Sequence, residues 1–492
     1  MTQLRELAGR TIVVAGARVS GVAAARLLAG LGATVVLADG AELAALTPDA
    51  AELVASGMAL VAPEQVALDG VALVVTSPGW RPDSPLLTAA AALGIPVWGD
   101  IELAWQADQQ ELFGPARTWL AITGTNGKTT TTSMLDSILA AAGIASAACG
   151  NIGLSVLDAL TADTRADVLA IELSSFQLHW APSVRPRAGV VLNVAEDHLD
   201  WHGGMAAYAR AKAQALTGDI AVAGLDDEIA ASLLAGAPAA RAIGFRLGEP
   251  GPDELGVVDG RIIDRAFGGA DSAAGIPLAQ VSQIHPAGPA GTMDALAAAA
   301  LARAIGVAPA AIAAGLDAHQ VGPHRAALVD EIAGVAYIDD SKATNPHATR
   351  ASVLAHERVV WIAGGLLKGA AVDDLVRDIA PRLVAAVLLG QDRGQLVDAL
   401  RQHAPEVPIV EVLAGEDVSV SSATVVRVDT TEQVMSAAVR AGTAFAESGD
   451  TVLLAPAAAS LDMYRDYGER GRSFVAAVQG LAPTAERPST GS

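Results

Sequence analysis

The chain has little cysteine, little positive charge and no long hydrophobic run. Its 492 residues include one cysteine, Cys149, which excludes an internal disulfide framework and is typical of a reducing compartment. Lys and Arg number 32 against 54 Asp and Glu, and the net charge of -22 argues against nucleic acid or an anionic membrane as a partner. No window approaches about 18 uncharged apolar residues, and a strand pattern already begins at Thr11. We therefore expect a cytoplasmic protein without membrane insertion or a signal peptide.

Short β-branched segments alternate with Ala- and Leu-rich helical segments along the whole chain. This alternation predicts parallel sheets covered by helices, an α/β fold, and the length predicts about three domains. We assign an N-terminal Rossmann-like domain to residues 1–99, a central P-loop ATPase-like parallel sheet to 100–321, and a C-terminal Rossmann-like domain to 322–482. The polar, Pro-rich residues 483–492 are predicted to form a disordered tail.

The clearest motif is TWLAITGTNGKTTTT at residues 118–132, a glycine-bracketed loop between a strand pattern and a helix pattern. Gly124 and Gly127 permit a backbone whose N–H groups face phosphate oxygens, and the following helix adds its positive dipole end. Lys128 would contact the β- and γ-phosphates, and the Thr129 hydroxyl would contact Mg²⁺. The spacing departs from the usual one, and a bare Gly-Lys-Thr is often an ordinary turn. The flanking strand and helix patterns nevertheless favour nucleotide binding.

Polar residues follow two further strands of the predicted central domain. Glu172 comes directly after an apolar run, and it forms a sensible magnesium pair with Thr129 because Mg²⁺ prefers carboxylate and hydroxyl oxygens. His198 follows the next run, where an isolated histidine is more often hydrogen-bonded than metal-bound. Lys212 lies in a helical pattern and, taken alone, fits a solvated helix residue.

The N-terminal segment contains a second glycine-bounded turn. Gly16 and Gly21 bracket a strand-to-helix turn, and Asp39 ends the next strand, as in a dinucleotide-binding fold. The glycine pattern is incomplete, so a turn of any doubly wound sheet explains it equally well. Either interpretation favours a diphosphate site near Ser20 and Gly79.

Five segments together resemble the Mur ligases, the enzymes that build the peptide of the bacterial cell-wall precursor. They are GTNGKTT, GNIG at residues 150–153, IELSSFQL at 171–178, NVAEDHLD at 193–200 and YIDDSKATNP at 337–346. The last segment is similar to that of the D-glutamate-adding member of the family. The resemblance extends over nearly the whole chain.

The resemblance implies an ATP-dependent ligation in two steps. The alanine carboxylate of UDP-N-acetylmuramoyl-L-alanine attacks the γ-phosphate of ATP, and the amine of D-glutamate then displaces phosphate from the acyl phosphate. ATP and two Mg²⁺ ions are the implied cofactors. Phosphoryl transfer of this kind needs positioning and charge neutralisation rather than a protein nucleophile. We expect a monomer.

The resemblance also implies site residues. Those for catalysis are Lys128, Glu172, His198 and Lys212. Those for Mg²⁺ are Thr129, Glu172, His198 and Lys212, the last as a carbamate formed with CO₂. Those for ATP are Gly124, Thr125, Asn126, Gly127, Lys128, Thr129, Thr130, Asp294, Arg325 and Asp340. Those for the UDP-sugar are Val19, Ser20, Asp39, Gly79, Asn151 and His198. Those for D-glutamate are His324, Lys342, Thr344, Lys368, Ser460, Leu461 and Tyr467.

Three other functions stay open at this point. Folylpolyglutamate synthesis uses a related phosphate loop, but the additional N-terminal domain argues against it. A nicotinamide oxidoreductase would fit Gly16, Gly21 and Asp39, although no set of hydride-transfer residues accompanies them. A regulatory P-loop switch would bind nucleotide without making a covalent product.

Overall fold

The computed structural model describes residues 4–42, 45–268, 274–415 and 424–481. Within these ranges the chain divides into two compact units. The first comprises the described parts of residues 1–284 and 292–319, and the second those of 285–291 and 320–492. The predicted disordered tail, residues 483–492, lies outside the described residues.

The N-terminal part of the first unit is a Rossmann-like layer. Its elements are β1 (Thr11–Ala15), α1 (Val19–Gly30), β2 (Thr34–Ala38), α2 (Pro48–Ala55), β3 (Ala59–Val61), β4 (Val71–Thr76), α3 (Pro85–Ala92), β5 (Val97–Gly99) and α4 (Asp100–Gln109). The strands pair in parallel in the order β3-β2-β1-β4-β5. Gly21 makes the strand-to-helix turn possible, because a Cβ there would lie 1.8 Å from the Gly16 carbonyl oxygen.

A larger sheet forms the rest of the first unit. Its elements are β6 (Thr118–Thr123), α5 (Lys128–Ala141), β7 (Ser146–Gly150), α6 (Val156–Thr161), β8 (Val168–Glu172), α7 (Ser175–His179), β9 (Ala188–Val191), α8 (Leu199–His202), α9 (Met205–Ala213), β10 (Ile220–Gly224), α10 (Glu228–Ala235), β11 (Arg241–Phe245), β12 (Glu254–Val258), β13 (Arg261–Asp264), β14 (Ile276–Gln280), α11 (Pro289–Ala304) and α12 (Pro309–Ala318). The strand order is β14-β13-β12-β11-β10-β9-β6-β8-β7. Because β6 lies between β8 and β9, the loop after β6 opens at a topological switch point, where ligands of α/β sheets bind.

The prediction of a parallel sheet is correct for the seven strands β6 to β12. It is wrong for β13 and β14, the two strands at one edge. β12 and β13 are antiparallel, as are β13 and β14. Asp259 and Gly260 connect β12 to β13, and both have positive φ, 48° and 72°. An Asp-Gly pair with two positive φ angles is the preferred tight turn of a hairpin, so the chain reverses here instead of crossing over.

The second unit contains the third sheet. Its elements are β15 (Ala327–Ile332), β16 (Val335–Asp339), α13 (Pro346–Leu354), β17 (Val359–Gly364), α14 (Asp373–Ile379), β18 (Leu383–Leu389), α15 (Arg393–His403), β19 (Ile409–Ala414), β20 (Thr424–Val428), α16 (Thr431–Thr443), β21 (Thr451–Leu454) and α17 (Tyr467–Gln479). The order is β15-β16-β21-β17-β18-β19-β20, parallel except for the β15–β16 pair. β17 is buried at every residue, as expected for a central parallel strand with helices on both faces.

The predicted α/β fold with three sheet-containing regions is confirmed. Short 3-10 helices occur at Leu4–Leu7, Pro63–Gln65, Gln214–Thr217, Val281–Gln283 and Ala380–Arg382. No helix in the described ranges has the length and apolar character needed to cross a membrane. The domain borders at residues 99/100 and 321/322 stay predictions.

Candidate active site

The phosphate loop lies between β6 and α5. Gly127 precedes the helix with φ 85°, a left-handed conformation that favours glycine, and α5 begins at Lys128. Asn193 fixes the start of the loop: its carbonyl accepts from the Thr125 amide at 3.0 Å, and its side-chain oxygen accepts from the Asn126 amide at 2.9 Å. In this structure the Thr125 and Asn126 amides bond to Asn193, and their predicted contact with phosphate stays a prediction. The amino end of α5 follows directly after Gly127, and helix amino ends favour bound anions.

Two lysines meet at the carbonyl of Gly124. Lys128 Nζ donates to this oxygen at 2.8 Å and to the Thr125 carbonyl at 2.9 Å. Lys212 Nζ, from α9, donates to the same Gly124 oxygen at 2.7 Å. The structure thus brings together two predicted catalytic lysines that are far apart in the sequence.

Lys212 is not the solvated helix residue that its pattern alone suggests, because it is 1% exposed. Burial, together with the charge of Lys128, holds the pKa of Lys212 well below its ordinary value. The Tyr208 ring lies 4.6 Å from Lys212 Nζ, and the Tyr208 hydroxyl lies 3.0 Å from Thr125 Oγ1. Both burial and the charge of Lys128 shift Lys212 towards the uncharged amine, which is the form that reacts with CO₂.

Glu172 ends β8 beside the start of α5, and its side chain is buried. One carboxylate oxygen accepts from Thr129 Oγ1 at 2.6 Å, and the other accepts from Asn151 Nδ2 at 2.9 Å. The predicted Thr129–Glu172 pair is therefore in contact. A hydroxyl and a carboxylate at one point offer the oxygen ligands that Mg²⁺ prefers.

His198 occupies the position before α8 with φ 53°. Its Nε2 lies 3.4 Å from Asp197 Oδ2, and its ring centroid lies 4.8 Å from that of Phe176. The side chain is 47% exposed, so a ligand can reach it. Among the described residues, no three His, Cys, Asp or Glu side chains group as a metal site.

Asp294, one of the residues predicted to bind ATP, is buried against the phosphate loop. Its Oδ1 accepts from Thr131 Oγ1 at 3.1 Å, and a Cβ at Gly127 would lie 2.2 Å from the same oxygen. This carboxylate therefore holds α5 and the loop in place. Its predicted contact with ATP stays a prediction.

Four of the six predicted UDP-sugar residues follow the carboxyl ends of β1, β2 and β4, whereas Asn151 and His198 follow β7 and β9 of the larger sheet. Val19 begins α1 and is 67% exposed, and Ser20 follows it in the first turn of that helix. Asp39 accepts from the Ala17 amide at 2.7 Å, so this carboxylate orders the turn before α1. Gly79 belongs to the turn after β4, and Asn151 contacts Glu172 as described above.

The second unit groups several predicted D-glutamate residues. His324 Nδ1 lies 2.6 Å from the buried Asp339 carboxylate, and the His324 carbonyl accepts from the Lys342 amide at 3.1 Å. Lys342 Nζ lies 3.9 Å from the centre of the Tyr467 ring. Cation and aromatic ring are thus stacked at the start of α17.

The remaining predicted residues of this unit lie on neighbouring turns. Lys368 has φ 54°, and its turn is joined to the segment before Ser460 by reciprocal Leu366–Ala459 backbone bonds of 2.9 Å. Ser460 is buried, and Leu461 beside it is 62% exposed. Of the other residues predicted in this unit, Arg325 precedes β15, and Asp340 and Thr344 follow β16. Burial raises the pKa of Asp340 to about 6.

Comparison with known proteins decides the family. The family described as "Mur ligase middle domain" matches residues 122–252, and "Mur ligase, glutamate ligase domain" matches residues 324–458. A protein of Rhodococcus jostii (strain RHA1) named UDP-N-acetylmuramoylalanine--D-glutamate ligase is 60% identical over 489 residues, covering 96% of this chain and 95% of that protein. This chain belongs to the Mur ligase family. The predicted family membership is confirmed, and the oxidoreductase and switch alternatives lose their support.

Other Mur ligases extend the comparison. A protein of the same name from Mycolicibacterium smegmatis is 55% identical over 489 residues, 96% of this chain and 97% of that protein. Among solved structures, the UDP-N-acetylmuramate-alanine ligase MurC of Thermotoga maritima has a TM-score of 0.55 at 17% identity, covering 96% of this chain and 100% of that chain. MurF of the same organism, in complex with ADP, has a TM-score of 0.55 at 15% identity, covering 98% and 100%. At these identities, the two structures show the fold alone.

Lysine is confined to the predicted site of this Mur ligase. The sequence contains four lysines, Lys128, Lys212, Lys342 and Lys368, against 28 arginines. Each of the four is a predicted site residue. Since arginine supplies the positive charge elsewhere, these positions need a property of lysine, such as a compact ammonium or an amine that can lose its proton.

Sequence reasoning missed several residues that order the Mur ligase site. Asn193 was noticed only as part of a motif, and Tyr208 was not singled out. The spacing of Tyr208, one helical turn before Lys212, is a signal that could have revealed it. Ser341 and Arg470 had no such signal, because their importance depends on contacts between distant segments.

Proposed function

We propose that this Mur ligase adds D-glutamate to UDP-N-acetylmuramoyl-L-alanine in the cytoplasm, at the expense of ATP, in peptidoglycan precursor synthesis. The observation that carries this proposal is the 60% identity to a D-glutamate ligase over nearly the whole of both chains. The phosphate loop with Lys212 beside it, the buried Glu172, and Lys342 over the Tyr467 ring in the second unit supply chemistry that such a reaction needs.

The first step joins the acceptor to phosphate. A carboxylate oxygen of the alanyl group attacks the γ-phosphorus, the bond to the bridging oxygen breaks, and ADP leaves with that electron pair. Lys128 and the amino end of α5 bind the phosphates and offset the negative charge. Lys128 is already at the loop, but it bonds to the Gly124 and Thr125 carbonyls, so the arriving phosphates compete for its ammonium.

The donor set fits a magnesium ion at this point. Thr129 and Glu172 would hold one ion, with Asn151 orienting the carboxylate, and His198 with carbamylated Lys212 would hold the second. When bound, Mg²⁺ neutralises charge on the β- and γ-phosphates. Carbamylation joins the nitrogen of the neutral Lys212 amine to the carbon of CO₂ and releases one proton, which converts an uncharged group into an anionic one.

The second step forms the amide. The amine of D-glutamate attacks the acyl carbon, the carbon–oxygen bond to phosphate breaks, and the nitrogen loses its extra proton. D-glutamate carries two carboxylates in a strongly acidic protein, so its site requires local cations. Lys342 and Lys368, with the hydroxyls of Thr344 and Ser460, would bind them, and Tyr467 would border the pocket beside Lys342.

Phosphate release by the purified protein tests the proposal. We expect phosphate only when ATP, the UDP-sugar acceptor and D-glutamate are all present, and a product whose mass equals acceptor plus glutamate minus water. L-glutamate serves as the matched control and should give little product. Equal release without D-glutamate would contradict the proposed amino-acid substrate. A monomeric state stays a prediction that size-exclusion chromatography with light scattering would test.

A further inference from the structure

A buried arginine stands at the centre of the second unit. Arg470 lies on α17, one turn after Tyr467, and is 1% exposed. Its four hydrogen bonds all go to neutral oxygens: Ser341 Oγ at 3.0 Å, the Ser341 carbonyl at 2.9 Å, the Ala458 carbonyl at 3.0 Å and the Gly364 carbonyl at 3.4 Å. A guanidinium buried without a hydrogen-bonded carboxylate is costly, so its position calls for an explanation.

The acceptors explain the position, because they lie on three separate segments. Ser341 directly precedes Lys342, Gly364 opens the turn that leads to Lys368, and Ala458 lies just before Ser460. Each segment contributes a residue of the proposed D-glutamate site. The five donors of a guanidinium point in fixed directions within one plane, so Arg470 sets the spacing between all three segments at once.

The same helix also holds the aromatic side of the site. Ser341 Oγ donates to the Tyr467 carbonyl at 2.7 Å while accepting from Arg470 Nε. Asp339 orders this segment from the other end, since it accepts from the Ser341 amide at 3.0 Å and contacts His324. Buried hydrogen bonds therefore join the backbone segment that carries Lys342 to the one that carries Tyr467, and the Lys342 ammonium lies over the Tyr467 ring.

We propose that Arg470 is the positioning residue of the amino-acid site: it holds the segments of Lys342, Lys368 and Ser460 at the separation that D-glutamate requires. This inference rests on the proposed function. It assigns no contact between Arg470 and substrate, because the guanidinium is buried and its hydrogen bonds go to the protein.

Steady-state kinetics of Arg470→Lys test the proposal. Lysine keeps the charge, but its single ammonium cannot bond to all three segments, so the KM for D-glutamate should rise about tenfold or more. The KM for the UDP-sugar should stay within about twofold, since its proposed site lies in the first unit. Millimolar guanidinium should restore part of the lost activity in Arg470→Ala and should not increase wild-type activity.

Phe474→Leu is the matched control for general destabilisation. Phe474 lies one turn further along α17 and is fully buried in an apolar cluster of the second unit, and its apolar side chain takes no part in the hydrogen bonds of Arg470. This variant should lower the unfolding temperature and leave the KM for D-glutamate unchanged. If Arg470→Lys does not fold, Ser341→Ala removes one tether with a smaller change and should raise the same KM about threefold.

Two results would overturn the inference. One is an unchanged KM for D-glutamate in folded Arg470→Lys or Ser341→Ala, and the other is an equal rise in Phe474→Leu. These results are distinguishable from a failure of the proposed function. In that case, phosphate release by the wild-type protein would not depend on D-glutamate.

Discussion

Lys128 and Lys212 donate hydrogen bonds to the same carbonyl oxygen, that of Gly124, at 2.8 and 2.7 Å. Like charges this close disfavour each other, and the buried lysine has no water to stabilise its charge. The charge of Lys128 therefore helps to lower the pKa of Lys212. One lysine is suited to bind phosphate as a cation, and the other to react as a neutral amine.

Lys128→Ala should lower turnover by about two orders of magnitude or more, because a preorganised charge at the transferring phosphoryl group is lost. The fold should survive, since Lys128 is only part-buried. Phosphate release at saturating substrates measures the effect. Arg377→Ala, which removes one positive charge at a side chain that is 58% exposed, is the control and should be unaffected. Turnover of Lys128→Ala within about threefold of wild type would refute the assigned role.

Lys212→Ala should be inactive, and formate or acetate in the buffer should restore part of the activity by replacing the carbamate's carboxylate. ¹³C NMR with labelled bicarbonate provides a direct measurement. Because the chain has only four lysines, a carbamate signal is readily assigned. The signal should persist in Lys368→Ala and vanish in Lys212→Ala. A signal that survives in both, or rescue in neither, would count against carbamylation.

Gly127→Ala and Gly143→Ala form a matched pair at the two ends of α5. Both glycines have positive φ, 85° and 69°, so alanine strains the backbone at either position by about 1 kcal/mol or more. A Cβ at Gly127 would also lie 2.2 Å from the Asp294 carboxylate, whereas a Cβ at Gly143 meets nothing within 4 Å.

We therefore expect Gly127→Ala to weaken ADP binding at least about tenfold, and Gly143→Ala to lower stability without changing ADP affinity. Isothermal titration with ADP and Mg²⁺ measures affinity, and thermal unfolding measures stability. Equal ADP affinities for the two variants would show that the Asp294 contact does not shape the phosphate loop.

Asp340 should make stability depend on pH. Burial raises its pKa to about 6 from 3.8, so the folded state holds a proton that the unfolded state has already lost. The stability from this group is fully present below pH 3.8 and is lost as pH rises through about 6. Asparagine does not ionise, so Asp340→Asn should not show this loss of stability. The unfolding temperature of the variant minus that of wild type should therefore be larger at pH 7 than at pH 4.

Asp374→Asn provides the comparison for that experiment, because the Asp374 side chain is 89% exposed on α14. Its unfolding temperature should follow that of wild type at every pH. A constant difference between Asp340→Asn and wild type from pH 4 to pH 7 would contradict the raised pKa of Asp340.

Local patterns were enough to predict the phosphate loop and the α/β fold. The β-branched run of β6, the glycines of the loop and the helix pattern of α5 are neighbours in the sequence, and their conformations follow from intrinsic preferences. The pattern did not predict the antiparallel strands β13 and β14, because strand direction there depends on one two-residue turn. The pairing of Glu172 with Thr129 follows from the oxygen ligands that Mg²⁺ prefers, and the two side chains are in contact in the structure.

Residue types and their spacing fix which reactive groups this chain has: a glycine-bounded loop with a lysine, a carboxylate at the end of a strand and three further lysines. The state of those groups depends on the tertiary structure. Asn193 accepts hydrogen bonds from two amides of the phosphate loop, and burial with the charge of Lys128 lowers the pKa of Lys212. Arg470 hydrogen-bonds three segments of the second unit. Desolvation and long-range hydrogen bonds depend on which distant segments pack together, and no local pattern of residues contains that information.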